Sequence, residues 1–198
     1  MVLRPGYTYL DASGASRAGG TITLVTGDEF RILIDTGGPG ERALLIDALA
    51  DQQLTPEQIT HVVCTHGHVD HVGNINLFGD AEFLMARDRS RNDRFASLDF
   101  STGTMTLAAG VQLMATPGHT SEDISVLVST DSGVVAIVGD LFESAADLED
   151  EQLWISQSRD PELQRGSRSV VLALADFIVP GHGDSFATDY RTRTFGPA

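Results

Sequence analysis

Lysine is absent from this 198-residue sequence, and cysteine and tryptophan occur once each. All 13 basic residues are arginine, against 28 aspartates and glutamates, for a net charge of −15. Negative charge in that excess repels phosphate backbones at ordinary salt, which argues against nucleic acid as a partner. The lone cysteine, Cys64, excludes an internal disulfide, and its place in His61-Val62-Val63-Cys64 reads as a buried strand position. No apolar run approaches the roughly 18 residues needed to cross a bilayer. The opening MVLRPGYTYL lacks the charged and apolar regions of a signal peptide. The expectation is a cytoplasmic protein that does not enter a membrane. No repeat, low-complexity tract or linker interrupts the chain, so residues 1–198 are expected to form one domain with a sizeable core.

The missing lysine has a second reading. Aspartate-rich, lysine-free chains resemble proteins that work in multimolar salt, where a Debye length of about 3 Å at 1 M screens such repulsion. A halophilic source is therefore expected. Full stability and activity in dilute buffer would rule it out.

What the chain does have is a dense run of metal-binding side chains, Thr65-His66-Gly67-His68-Val69-Asp70-His71, holding three of its six histidines. Imidazoles and carboxylates are ligands that zinc, iron and manganese accept, and His-x-His on extended chain aims both rings to one side. Asp70 and His71 point elsewhere and are placed to reach a second ion. His119 follows the apolar run Val111 to Ala115 in the turn Thr116-Pro117-Gly118-His119-Thr120. His182 follows Phe177 to Val179 in Pro180-Gly181-His182-Gly183, and Asp140 follows Val134 to Val138. Turns at strand ends are where functional groups collect. His61, at the start of its apolar run, is expected on the surface or behind the ligands rather than on a metal.

An HxHxDH run followed by separate His, Asp and His resembles the pattern of the metallo-β-lactamase superfamily, over Thr21 through Gly183. The resemblance implies an α/β fold, a four-layer αββα sandwich with two metals in a cleft at the strand ends. It implies that His66, His68 and His119 hold one metal, Asp70, His71 and His182 the other, and that Asp140 bridges them. Asp35 would then support a metal-bound histidine from behind; by itself it reads equally as a turn-forming residue. The wording THGHVDHVGNINLF, TPGHT, GDLFE and VPGHG is most similar to small metallo-β-lactamase-domain-containing proteins whose animal members are associated with histone pre-mRNA cleavage.

Two zinc ions are the expected cofactors, and iron or manganese suits the same nitrogen and oxygen set. Such ions lower the pKa of bound water from 15.7 toward roughly 7, so hydrolysis is the natural reaction, with Asp70 also orienting the nucleophile. The substrate is expected to be a small molecule carrying an ester, thioester, lactone or phosphodiester. Alternatives are a mononuclear iron enzyme resembling the persulfide dioxygenases, an endoribonuclease like the animal relatives, and a metal-stabilised binding protein without turnover. Asp140 stands where lactamases with a thiolate at the second metal have cysteine, so antibiotic hydrolysis is not the first reading. Oligomeric state is not legible.

Elsewhere, Thr21 to Asp35 reads as a hairpin about Gly27-Asp28, and Glu41 to Leu54 as an amphipathic helix with apolar positions 44, 45, 48 and 49. A short helix is expected over Gly73 to Phe78, strands over Glu82 to Ala86, Asp123 to Ser129 and Val134 to Val138, and a helix over Pro161 to Leu174. Arg87 to Arg94, with four arginines, reads as a solvated loop balanced by Asp88 and Asp93, or as a loop holding a substrate anion. The acidic stretch Glu143 to Glu151 reads as solvated loop, with Trp154 packed beneath it or lining a cleft.

Overall fold

A computed structural model of the chain describes residues 1–188. In chain order the first half contributes β1 (Val2–Arg4), β2 (Tyr7–Leu10), β3 (Ser16–Gly19), β4 (Ile22–Thr26), β5 (Arg31–Ile34), α1 (Arg42–Asp51), β6 (His61–Cys64), α2 (Val69–Val72), β7 (Glu82–Met85), β8 (Asp88–Arg91) and β9 (Arg94–Ser97). The second half contributes β10 (Thr104–Ala108), β11 (Val111–Ala115), β12 (Ile124–Thr130), β13 (Gly133–Gly139), α3 (Gln152–Ile155), α4 (Pro161–Leu174), β14 (Phe177–Pro180) and β15 (Phe186–Ala187). Strands β1-β4-β5-β6-β7-β8-β9 form one sheet, β10-β11-β12-β13-β14-β15 a second, and β2-β3 a separate hairpin. Each main sheet mixes antiparallel pairs with parallel ones: β5-β6 and β6-β7 in the first, β13-β14 in the second.

Strand periodicity builds the layers. Successive side chains on a strand point to opposite faces, so Ile32, Ile34, Val63 and Leu84 face Leu113, Val126, Ile137 and Val179 between the sheets. The alternate residues Leu33, Val62 and Cys64 face outward and pack with Leu45 and Leu49 of α1. On the far side Leu127, Ala136, Val138 and Ile178 pack with Val171 of α4 and the adjoining Ala175. The result is helix, sheet, sheet, helix: an αββα sandwich.

Several elements differ from their sequence reading. On α1 only Leu45 and Leu49 are buried while Leu44 is exposed, because a short helix over a sheet buries one i, i+4 row. The helix expected over Gly73 to Phe78 is only a 3-10 turn, Ile75–Leu77; α2 starts earlier, at Val69, with His68 still extended before it. The arginine segment is the β8-β9 hairpin rather than a loop, since Arg89 pairs with Glu82 across the sheet at 3.1 and 2.6 Å. The acidic stretch is not a solvated loop throughout. Asp147 is buried, its 3-10 turn (Ala145–Leu148) capped by Ser144, and Trp154 packs fully inside beneath it.

Candidate metal centre

Five strand ends deliver the site. Parallel pairing of β5 with β6 sets Asp35 beside Thr65 and His66 at their carboxyl ends, while β11, β13 and β14 end just before His119, Asp140 and His182. Polar groups at the carboxyl ends of strands in α/β sheets face a crevice that backbone pairing leaves open. The two sheets are tied together here, because the Ile124 N–H donates to the Thr65 carbonyl at 2.8 Å.

All seven residues expected as ligands converge. His66, His68, His119 and Asp140 offer donor atoms within 4.8 Å of one another, and Asp70, His71 and His182 do the same. Asp140 lies between the two groups. Its Oδ2 is 3.4 Å from His66 Nε2 and 3.3 Å from His119 Nε2, while its Oδ1 is 3.1 Å from His71 Nε2 and 3.3 Å from His182 Nε2. Asp70 approaches the second group only, with Oδ2 3.9 Å from His71 Nε2 and 3.8 Å from His182 Nε2. His119 Nε2 and His68 Nδ1 sit 3.0 Å apart.

The fit to metal follows from what these atoms lack. His66 Nε2, His71 Nε2 and Asp140 Oδ1 are buried with no hydrogen-bond partner. An orphaned buried polar atom costs about 1–3 kcal/mol, and these three belong to the two donor groups that meet at Asp140. A cation satisfies lone pairs of both imidazole and carboxylate, so the donor set suits a divalent metal.

Residues behind the donors aim them. Asp35 adopts φ 58°, a left-handed conformation that aspartate tolerates, which turns its carboxylate under the motif. It accepts from the Thr65 N–H and hydroxyl, both at 2.7 Å, and lies 2.7 Å from His71 Nδ1. Contact at Nδ1 directs His71 Nε2 to the centre, and Thr65 Oγ1, 3.2 Å from His66 Nδ1, does the same for His66. Asp35→Asn keeps the backbone conformation but weakens this hold. It is expected to lower metal affinity about 10–100-fold, measured by competition with a chromophoric chelator while the far-ultraviolet circular dichroism stays unchanged.

His119 is placed by a turn that only glycine permits. Gly118 has φ 147°, and a Cβ there would overlap the backbone and side chain of Gln164 on α4. Gln164 itself is fully buried and donates to the Asp140 and Leu141 carbonyls at 3.1 and 3.2 Å. Arg168, one turn on, donates to the Leu141 carbonyl and to Asp147 Oδ2 at 2.8 and 3.1 Å, stacked over the Phe142 ring. Thr65, Gln164 and Arg168 were not assigned a role from the sequence, nor was Glu143. Glu143 is half-buried beside the centre, 3.9 Å from His119 Nδ1 and 3.8 Å from His182 Nε2. Its only sequence signal is its place three residues after Asp140.

Without a cation the cluster holds protons. Burial opposes charge on His182, yet the hydrogen bond and charge of Asp140 outweigh it and push the imidazole up to about 9. His71 is likewise raised, burial being overcome by Asp140 and Asp35. His119 goes the other way, down to about 4, through burial and the neighbouring His66 and His68. A raised histidine stabilises the folded state fully below its unfolded value and loses that contribution as pH climbs through the folded one. Chelator-stripped protein is therefore expected to lose stability to urea between pH 6.5 and 9. Metal-loaded protein, whose imidazoles must be neutral to bind, should not show that loss.

The centre opens into a cleft of about 540 Å³. Thr8 and Ser16 of the β2-β3 hairpin form one wall, and Ser144, Gln152 and Gln157 the other. None of the four arginines of 87–94 lines it, in keeping with the reading of that segment as solvated surface rather than as a holder of a substrate anion. His61 lies at the far end of β6, 2.8 Å from Thr60 Oγ1, away from the centre.

Comparison with known proteins gives the same frame. A family model described as the metallo-beta-lactamase superfamily matches residues 16–85. Metallo-beta-lactamase domain-containing protein 1 of Xenopus laevis is 43% identical over 189 residues, covering 93% of this chain and 79% of that protein. The chain belongs to the metallo-β-lactamase superfamily. It is a metallohydrolase of that fold, with a His/Asp cluster suited to metal. The Mus musculus protein of the same name is 39% identical over 217 residues, covering 94% and 82%. A crystal structure of a candidate metallo-beta-lactamase from Thermotoga maritima superposes with a TM-score of 0.72 at 20% identity, covering 94% of this chain and 97% of that one.

Proposed function

We propose that this protein hydrolyses a small ester, thioester or lactone at a dinuclear centre, His66, His68 and His119 holding one metal, Asp70, His71 and His182 the other, and Asp140 bridging. The observation that carries this reading is Asp140, buried among four imidazoles: Oδ2 is near His66 and His119, Oδ1 is near His71, and His182 Nε2 is 3.3 Å from both oxygens. Two zinc ions bound there would lower the pKa of water toward about 7 and polarise the substrate's carbonyl. Asp70, half-buried and lining the cleft, is placed to accept a hydrogen bond from the attacking water and orient it. The net reaction adds one water across the acyl bond, giving a carboxylic acid and an alcohol or thiol.

The cleft supports the substrate class. Among the described residues no arginine lines the 540 Å³ cleft, while Asp70, Glu143 and Asp147 do, which disfavours a polyanionic nucleic acid. The lysine-free acidic composition supports work at high salt in the cytoplasm. Metal quantitation on protein purified without added metal is the test, followed by ester, thioester, lactone and phosphodiester panels at low and high salt. Two zincs and turnover of neutral acyl substrates are expected. One iron with no hydrolysis, or turnover of phosphodiesters alone, overturns the reading.

A further inference from the structure

A second cleft, of about 330 Å³, lies on the other flank of the centre, lined by His66, His68, Met85, Ser121, Glu122 and Arg159. His68 lines both clefts, so a molecule bound at the centre can reach into each. Arg159 is the one basic side chain lining either of them among the described residues. It makes no ion pair among the described residues, although acidic residues outnumber basic ones 28 to 13 in the sequence. Glu122 lines the same cleft without pairing to it.

The backbone bearing Arg159 is fixed to the turn that carries His119. The Arg159 N–H donates to the His119 carbonyl at 3.2 Å, and the Asp160 N–H to the Gly118 carbonyl at 2.9 Å. Ser158 Oγ donates to the same Gly118 carbonyl at 3.1 Å. Arg159 is exposed, with its backbone in register with His119, and its guanidinium is a fork shaped for a carboxylate, which it binds through two parallel N–H donors.

We infer that Arg159 is a specificity residue that binds a carboxylate group on the substrate, at the opposite side of His68 from the acidic cleft. The inference rests on the proposed hydrolase reading. The substrate is then an acyl compound with an uncharged scissile bond and one carboxylate a few bonds away, such as a half-ester of a dicarboxylic acid. Glu122 opposes that carboxylate, so removing its charge strengthens binding.

The test uses zinc-loaded full-length protein and two aryl esters with the same leaving group, an acetate and a hemisuccinate. Wild type is expected to favour the hemisuccinate through KM. Arg159→Ala should raise KM for it about tenfold and leave the acetate unchanged. Arg159→Lys should recover part of the loss, and Glu122→Gln should lower KM. Succinate binding, followed by isothermal titration in the same variants, provides a readout independent of turnover. If neither ester is cleaved but succinate binding depends on Arg159, the carboxylate site stands and the hydrolase reading falls. Should both esters be cleaved equally by wild type and Arg159→Ala, or succinate bind both equally or not at all, the inference is overturned while hydrolysis remains.

Discussion

Asp140→Asn is expected to strip metal from both ligand groups at once and to lower hydrolysis by more than roughly a hundredfold, since even partners behind the ligands carry 10–100-fold. Four imidazole nitrogens surround this one carboxylate at 3.1–3.4 Å, His182 Nε2 lying 3.3 Å from both oxygens. Burial favours its neutral form, but the charge of His71 and the hydrogen bonds of His182, His66 and His71 hold the carboxyl well below the ordinary aspartate range. A carboxamide keeps the shape but replaces one oxygen with an NH2 that can only donate, so one group loses its ligand and the other faces a neutral one. His68→Ala is the contrasting case, because His68 belongs to the first group alone. It is expected to lose one equivalent and Asp140→Asn two, by inductively coupled plasma mass spectrometry, with circular dichroism confirming the fold. Two equivalents retained in Asp140→Asn would refute the bridging assignment.

Arg168→Ala is expected to cost about 3–5 kcal/mol of stability, the penalty for removing one partner of a buried ion pair, and to lower Tm by about 10 °C. Arg168 is 6% exposed and Asp147 1%, and the guanidinium also holds the Leu141 and Asp147 carbonyls. Truncation leaves the buried Asp147 carboxylate without its cation, although the Glu143 and Ser144 N–H groups still donate to it, and takes a donor from the Asp147 carbonyl, while the Leu141 carbonyl keeps Gln164. It also opens the space between Phe142 and Trp154 that the guanidinium fills by stacking at 3.8 and 4.6 Å. Because Leu141 follows Asp140, metal affinity should weaken together with stability. Leucine or methionine at 168 refills the volume without the charge, so a Tm loss equal to that of alanine would assign the effect to the ion pair rather than to packing. Calorimetry on all three variants makes the comparison, and an unchanged Tm in Arg168→Ala would overturn this account.

Local pattern was enough to single out seven residues that converge at the centre, though not Glu143, and most of the sheet. His66 to His71, His119, Asp140 and His182 are conspicuous because metal-binding side chains at the ends of apolar runs need no partner to be recognised. The strands around them alternate, or run apolar, over few residues, as buried strands do. What surrounds the donors escaped that reading. Gln164 and Arg168 occupy the buried face of α4 with Val171, yet a polar residue on a core-facing row looks like surface to any argument from apolar periodicity. Glu143 and Asp147 were read as part of an exposed acidic tract for the same reason. The arginines of 87–94 read in sequence as a solvated loop or as an anion site; strand pairing makes them a hairpin along β8 and β9 that does not line the cleft.

The sequence alone determined the candidate donors and their strand-end placement, which depend on residue type and on neighbours a few positions away, while the sandwich class was implied by the family resemblance of the motif. The resemblance implied Asp140 between the histidines and Asp35 behind one of them; only the tertiary structure brings them within contact distance and sets Arg159 rather than the arginine run beside the centre. Those relations join positions as far apart as His66 and Asp140, or His68 and Arg159. They are set by which strands pair and how two sheets face each other, and no local spacing along the chain encodes them.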